Sequence, residues 1–405
     1  MDQRNEQTKD QTKDQKNVYL GEGTYGCIFK PGLDCKGNKN KKSNTVNKIQ
    51  TINSTSTNEI KVSHKIRHIK DDQGKRLKYK KYFAPVIKHC QIKFSRLTDS
   101  KLDLTKCQLL NDEYADADLL EEFPNSDDQM KLEELLDEKF YMFYIPLIPG
   151  NLNIKQFLYH DNADDDTDLF TQNLTATFNY LSHSIELLNS NKIVHNDLQN
   201  YNNVLYHSKK KHPIIIDFGL SYAMDDLYKV SRLYGDVFNI ENIKKYYFDY
   251  RGDSSHILEQ CFVSFILYNK QTDTNVRDLT SPNILRPDGI ESFINDMYSG
   301  LTDIKSIYTP DELHAYREGL MTYYSQFLDK TRFPTFVEIL REVMPRIFKY
   351  CDMYAISLIY IDIIVKYLKK NSFSIDTIKI ENPELYLFIE SLKEMIFPNP
   401  LQHLS

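Results

Sequence analysis

The chain has 405 residues, 27% of them charged, and a formal net charge of −6. That length accommodates two lobes or one domain with large insertions, and the charge balance excludes the strong positive field of a nucleic-acid-binding surface. Six cysteines (Cys27, Cys35, Cys90, Cys107, Cys261, Cys351) fall without a CxxC pair, so neither a zinc site nor a disulfide framework is expected, and a reducing compartment is the simpler reading.

Residues 1–16 are polar and repeat Gln-Thr-Lys-Asp from Gln7 and again from Gln11. With no apolar run they are expected to be a disordered tail and not a signal peptide. Val18 to Leu20, then Gly21-Glu22-Gly23-Thr24-Tyr25-Gly26, then Cys27-Ile28-Phe29 read as strand, glycine turn, strand. A glycine pattern of this kind also suits a plain hairpin or a dinucleotide turn. Its place between two strands, and not before a helix, argues against the dinucleotide reading. Thr45 to Ile49 reads as a short strand carrying Lys48, and Asn58 to Ile69 as a helix with Glu59 near its start, where the helix dipole favours a carboxylate. Tyr82 to Phe94 and Lys139 to Ile145 read as two further strands. The insertion between them, around residues 98–138, contains the acidic run Asp112 to Glu138, read as a solvated surface, with docking of a basic partner as the lesser alternative.

Leu147-Ile148-Pro149-Gly150-Asn151-Leu152 reads as a turn and as a hinge between lobes. Thr171 to Leu188 has helical periodicity, with Leu174, Phe178, Leu181, Ile185 and Leu188 on one face. Tyr206 to Pro213 is a basic hairpin loop. Helical patterns follow over His256 to Leu267, Ile290 to Met297, Pro310 to Leu328 and Phe336 to Ile347, and a separate apolar helix begins at Asp352. Thr309-Pro310-Asp311-Glu312 has the cap, the first-turn proline and the third-position glutamate of a helix start. Glu384 to Ile396 closes the chain as a helix, with Phe397-Pro398-Asn399-Pro400 as its stop. The apolar stretch Ala355 to Val365 is interrupted by Asp362 and is too short to span a bilayer.

The chemistry concentrates in Val194-His195-Asn196-Asp197-Leu198-Gln199-Asn200-Tyr201-Asn202 and, after a short gap, Ile216-Asp217-Phe218-Gly219. Each element alone has a plainer reading. His195 would be a packed structural histidine, Asp197 a turn residue, Asp217-Phe218-Gly219 an ordinary turn, and Lys48 one of many surface lysines. Their joint order makes coincidence a poor account. The glycine loop, Lys48, Glu59, His195-x-Asp197, Asn202 and Asp217-Phe218-Gly219 together resemble the eukaryotic-type protein kinase family, and in flavour the divergent serine/threonine kinases of large cytoplasmic DNA viruses.

That resemblance implies an α+β, bilobal fold. Residues 17–146 would form a small β-rich lobe, and 147–405 a larger helical lobe with an inserted segment around 224–349. It implies ATP and Mg2+ (or Mn2+) as cofactors and a protein hydroxyl, most simply Ser or Thr, as acceptor. Asp197 would accept the acceptor's proton, while Asn202 and Asp217 would hold the metal. Lys48, steadied by Glu59, would clamp phosphates under the backbone of Gly21, Gly23 and Gly26. Ile28 would roof the adenine, with Ile145 on the hinge; Met142 and Phe143 would line the pocket or belong to the core. His195 would support the loop, and Asp352 would brace its backbone. No membrane segment and no nucleic-acid partner are implied, and the expected location is cytoplasmic or inside a virion.

The chain also departs from the family. Asn196 stands where many regulated kinases carry Arg, which removes the usual cation for a phosphorylated activation loop. Gln199 stands where serine/threonine kinases carry Lys. No Ala-Pro-Glu follows Asp217-Phe218-Gly219, and the arginine that normally pairs with that glutamate is missing near the C-terminus, a joint loss that leaves no buried charge unpaired. Two other classes of function stay open: a pseudokinase scaffold, and a kinase-fold enzyme acting on a small molecule.

Overall fold

Strand alternation organises the first part of the chain. Val18–Gly23 (β1), Gly26–Lys30 (β2), Thr45–Thr51 (β3), Lys88–Lys93 (β4) and Lys139–Pro146 (β5) form an antiparallel sheet in the order β1-β2-β3-β5-β4. The computed structural model describes residues 18–23, 26–30, 32–39, 44–71, 73–100, 102–111, 126–150, 152–160, 167–231, 235–246, 256–268, 283, 285–300 and 304–396. The fold is mixed α+β and divides into two units, residues 1–60 with 86–147 and residues 61–85 with 148–405. Neither unit is contiguous, unlike the simple split expected after residue 146. The reason is apolar: Val62, Ile66, Ile69 and Phe83 are buried in the core of the second unit.

In the first unit, side chains alternate between the faces of the sheet with period two. Cys27, Phe29, Ile49, Phe140, Met142 and Tyr144 face a small core completed by Phe94, Leu97, Cys107 and Leu110. Gly26 is required by packing: a Cβ there would clash with the Ile49 carbonyl and lie 2.7 Å from the Gln50 Cβ. Strand β4 is shorter than the expected Tyr82 to Phe94. Pro85 lacks the N–H that a ladder needs, Tyr79–Lys81 is a 3-10 turn, and Phe94–Asp99 turns helical as α2. The helix α1 spans Ser54–Ile66, starting earlier than expected. Asn53 caps it, with Ser56 N–H donating to Asn53 Oδ1 at 2.8 Å and Asn53 N–H to Ser56 Oγ at 2.9 Å. Glu59 therefore lies in the second turn, beyond the dipole effect invoked for a first-turn carboxylate. Ser126–Asp137 (α3) lies in the described part of the acidic run.

The cysteine expectation is overturned in this unit. Cys27 and Cys107 form one disulfide (Cα–Cα 5.8 Å) and Cys35 and Cys90 a second (6.1 Å), while Cys261 and Cys351 are free and buried. Sequence spacing could not show this, because the pairing partners are 80 and 55 residues apart and meet only through the sheet.

The second unit is largely helical. Leu152–Asn153 (β6), Val204–His207 (β8) and His212–Ile215 (β9) form one small sheet, and Ile193–Val194 (β7) pairs with Tyr222–Ala223 (β10). Ile154–His160 (α4) precedes Thr167–Ser190 (α5), on which the expected apolar stripe is buried. Tyr228–Ser231 (β11) and Gly235–Phe238 (β12) make a hairpin. Ile240–Tyr246 (α6), Leu258–Tyr268 (α7), Pro287–Gly300 (α8) and Pro310–Ser325 (α9) follow, the last with the capping box foreseen at Thr309 and Glu312. The two helices expected on either side of Tyr350 are one, Phe336–Asn371 (α10), which runs through Pro345. Ile375–Glu381 (α11) and Pro383–Ile396 (α12) complete the described chain.

A Glu–Arg pair is present in this unit although no Ala-Pro-Glu motif announces it: Arg346 Nε on α10 donates to Glu259 Oε1 on α7 at 2.6 Å, and both side chains are largely buried. Among the described residues, no helix is long and apolar enough to cross a membrane. The expectations for the tail 1–16, for Thr24 and Tyr25, for 112–125 and for 397–400 lie outside the described residues.

Candidate functional site

In the first unit the strand register groups the expected residues. Ile28 on β2, Lys48 on β3 and Phe143 on β5 are in register across the sheet, and Val46 pairs with Ile145 two residues along. Ile28, Lys48, Phe143 and Ile145 therefore share a face. Met142 does not: it is fully buried on the opposite face, in the core with Ile49 and Cys27, and is withdrawn as a pocket residue. Lys48 Nζ donates to Glu59 Oε2 at 3.0 Å, and Gln50 Nε2 approaches the same oxygen at 3.3 Å. Lys48 and Glu59 are 3% and 2% exposed, so each charge depends on its partner for stabilisation.

The strand pair bearing Gly21, Gly23 and Gly26 is tied to the segment at Cys107. Glu22 on β1 accepts from Gln108 N–H at 3.1 Å and from Leu109 N–H at 3.4 Å, beside the Cys27–Cys107 link on β2. Glu22, Cys27 and Cys107 lie within 4.8 Å of one another. Joined sulfurs offer no thiolate, which is the form that ligates a metal.

In the second unit the loop after β7 is held from behind. Asp352 on α10 accepts the backbone N–H of His195 (Oδ2, 2.8 Å) and of Asn196 (Oδ1, 2.9 Å). His195 Nε2 lies 2.9 Å from the Ile216 carbonyl, and its own carbonyl accepts from Ser221 Oγ at 2.9 Å. Its ring meets Phe218 edge-on at 5.0 Å. Asn196 has φ 64°, a left-handed conformation that asparagine tolerates better than most residues. Its side chain is engaged by the downstream segment: Gln260 Nε2 donates to Asn196 Oδ1 at 2.7 Å, and Asn196 Nδ2 donates to the Tyr246 carbonyl at 3.4 Å. Asp217 also has positive φ, at 56°.

This scaffold fixes both oxygens of Asp197. Gln199 Nε2 donates to Oδ1 at 3.0 Å, and Asn203 Nδ2 donates to Oδ2 at 2.8 Å while also meeting the Asp197 carbonyl at 2.8 Å. Burial pushes the Asp197 carboxyl above the usual carboxylate range. His195 and the Asn203 hydrogen bond oppose that rise, and the nearby charge of Asp217 adds to it.

Asn202 is not brought to Asp197. It is exposed, and its Oδ1 accepts from Asn153 Nδ2 at 2.9 Å. The neighbour Asn203, which is 4% exposed and immediately precedes β8, takes the inward position. The doublet Asn202-Asn203 made spacing an ambiguous guide. Sequence reasoning also missed His256 and Gln260, which approach the loop from more than fifty residues downstream with no motif to mark them.

No protein-family model matches the chain, and no curated protein matches it.

Proposed function

We propose that this protein is an ATP- and Mg2+-dependent protein kinase that transfers the γ-phosphate to a Ser or Thr hydroxyl of a protein substrate. The observation that carries the reading is Asp197, a half-buried carboxylate whose two oxygens are each fixed by an amide donor. It sits on a loop whose backbone is clamped by Asp352. The motif order, which resembles protein kinases, and the buried Lys48–Glu59 pair support it.

In this reading Asp197 accepts the proton of the attacking hydroxyl, and its raised proton affinity suits a base. Asp217 and Asn203 supply hard oxygen donors, the type that suits Mg2+ or Mn2+; Asn203 replaces Asn202 in this role. A metal held by Asp217 and Asn203 would neutralise phosphate charge. Lys48 presents a fixed positive charge to the phosphates, and Gln199 donates a hydrogen bond without the charge of a lysine. Asn196, occupied by Gln260 and Tyr246, provides no cation for a phosphorylated loop, so activity does not require loop phosphorylation.

The test is phosphate transfer from radiolabelled ATP with Mg2+ to casein, to a basic protein and to the enzyme itself. Label on Ser or Thr, reduced at least about a hundredfold in both Asp197→Ala and Asp217→Asn, establishes the reading. Folded wild-type protein that transfers no label refutes it.

A further inference from the structure

We infer that His256 is a positioning residue of the phosphotransfer loop, acting on the base Asp197 through Gln199; the inference rests on the kinase reading and extends it to the segment after Asp217-Phe218-Gly219. His256 stands just before α7 and is 8% exposed. Its Nε2 lies 3.3 Å from Gln199 Nε2, and the same Gln199 nitrogen lies 3.0 Å from Asp197 Oδ1.

The chemistry of the three groups fixes the direction of each bond. A carboxylate only accepts, so the Gln199 end facing Asp197 is its NH2. One of its two hydrogens goes to Asp197 and the other points at His256. The facing nitrogen of His256 must then be an unprotonated acceptor, which places the ring hydrogen on Nδ1. The imidazole thus holds the Gln199 amide in the rotamer that serves Asp197. A glutamine without such a partner would lose that rotamer to the several others open to a long side chain. Lysine at this position would bring its own charge; Gln199 needs a second group to be held, and His256 is that group.

The surroundings keep the contact local. Asn196, Gln260, Cys351, Asp352 and Ala355 line the same small cavity as Gln199 and His256. Asn196 is engaged by Gln260, and Asp352 is spent on the two loop amides.

The experiment compares wild type with Gln199→Ala, His256→Leu, His256→Gln and the double variant Gln199→Ala with His256→Leu. It reads kcat and the KM for ATP, and also the 15N resonances of labelled histidine, with His256 assigned by its loss in His256→Gln. The expected result is a kcat roughly tenfold lower in His256→Leu with KM within about twofold, most of it regained in His256→Gln, whose side chain reaches far enough to accept. The double variant should be no slower than Gln199→Ala alone, because the two residues act as one unit. The histidine spectrum should show His256 with Nε2 unprotonated. An Nε2–H tautomer, additive losses in the double variant, or an unchanged kcat in His256→Leu would each overturn the inference. A protein that transfers no phosphate refutes the kinase reading instead, and the tautomer still decides whether Gln199 and His256 are joined.

Discussion

The two units are held together by different means. The first has a small core behind one face of a five-stranded sheet, and it adds two disulfides and a buried ion pair. The second buries an extended apolar core built around α5 and α10; it also holds the largely buried Glu259–Arg346 pair, and it uses Asp352 to bind two loop amides. A small core leaves a short margin over conformational entropy, and covalent links recover part of that margin by restricting the unfolded chain. The larger core carries no disulfide among the described residues, and its buried Asp352 shapes a loop.

The largest expected effect tests the second half of that comparison. Asp352→Ala removes the acceptor of two buried N–H groups and should cost about 4 kcal/mol in urea unfolding. The His195 and Asn196 amides should then exchange with deuterium far faster than those of α10. Unchanged exchange at those amides would show that the loop stands without its brace.

Next comes the ion pair. Glu59→Leu strands the Lys48 ammonium in a dry site and should destabilise the first unit by about 3 kcal/mol, whereas replacing both residues with apolar ones should restore most of the loss. Equal losses in the single and double variants would deny that the pair matters as a pair.

The disulfides come third. Cys27→Ser with Cys107→Ser should lower the stability of the first unit by about 2–4 kcal/mol and leave the unfolding of the second unchanged. A loss confined to the second unit would reverse the comparison.

The smallest effect is a pH dependence in the second unit. Lys393 lies 2.6 Å from Glu312, and this bond, with the Thr309 cap, holds the Glu312 carboxyl below its ordinary value against the opposing push of burial. A depressed folded value contributes stability that is present above the unfolded value of 4.5 and is lost as pH falls through the lowered one. Lys393→Met should flatten the change in urea midpoint between roughly pH 5 and pH 3. An undiminished slope would assign that sensitivity to other carboxylates.

Local chemistry was the legible part of the sequence. The α5 stripe, the Thr309 capping box and the β8–β9 hairpin follow from periodicity, caps and turn composition, while the Lys48–Glu59 pairing was legible only through the family resemblance. What failed depended on distant partners. Met142 and Phe143 are adjacent apolar residues, and only the register with β3 shows which one shares the Lys48 face. Asn202 and Asn203 differ by one position in a turn, and only the fold shows which turns inward. The cysteine pairs, the Glu259–Arg346 pair and His256 join residues with no local mark of their association. The break expected before Asp352 was wrong because a long buried face carried α10 through Pro345.

The way the chain passes between the units has a consequence for its biosynthesis. It changes unit after Ile60, after Pro85 and after Leu147, so no single cut separates the two cleanly. A ribosome that has delivered residues through Leu147 has supplied all of the first unit and only a 25-residue fragment of the second, residues 61–85. That fragment carries Val62, Ile66, Ile69 and Phe83, whose burial partners are not yet made. At about 5–20 residues per second those side chains wait many seconds for α5 and longer for α10. Expression of residues 148–405 alone would lack them permanently, and an intact chain arrested midway would present them to chaperones.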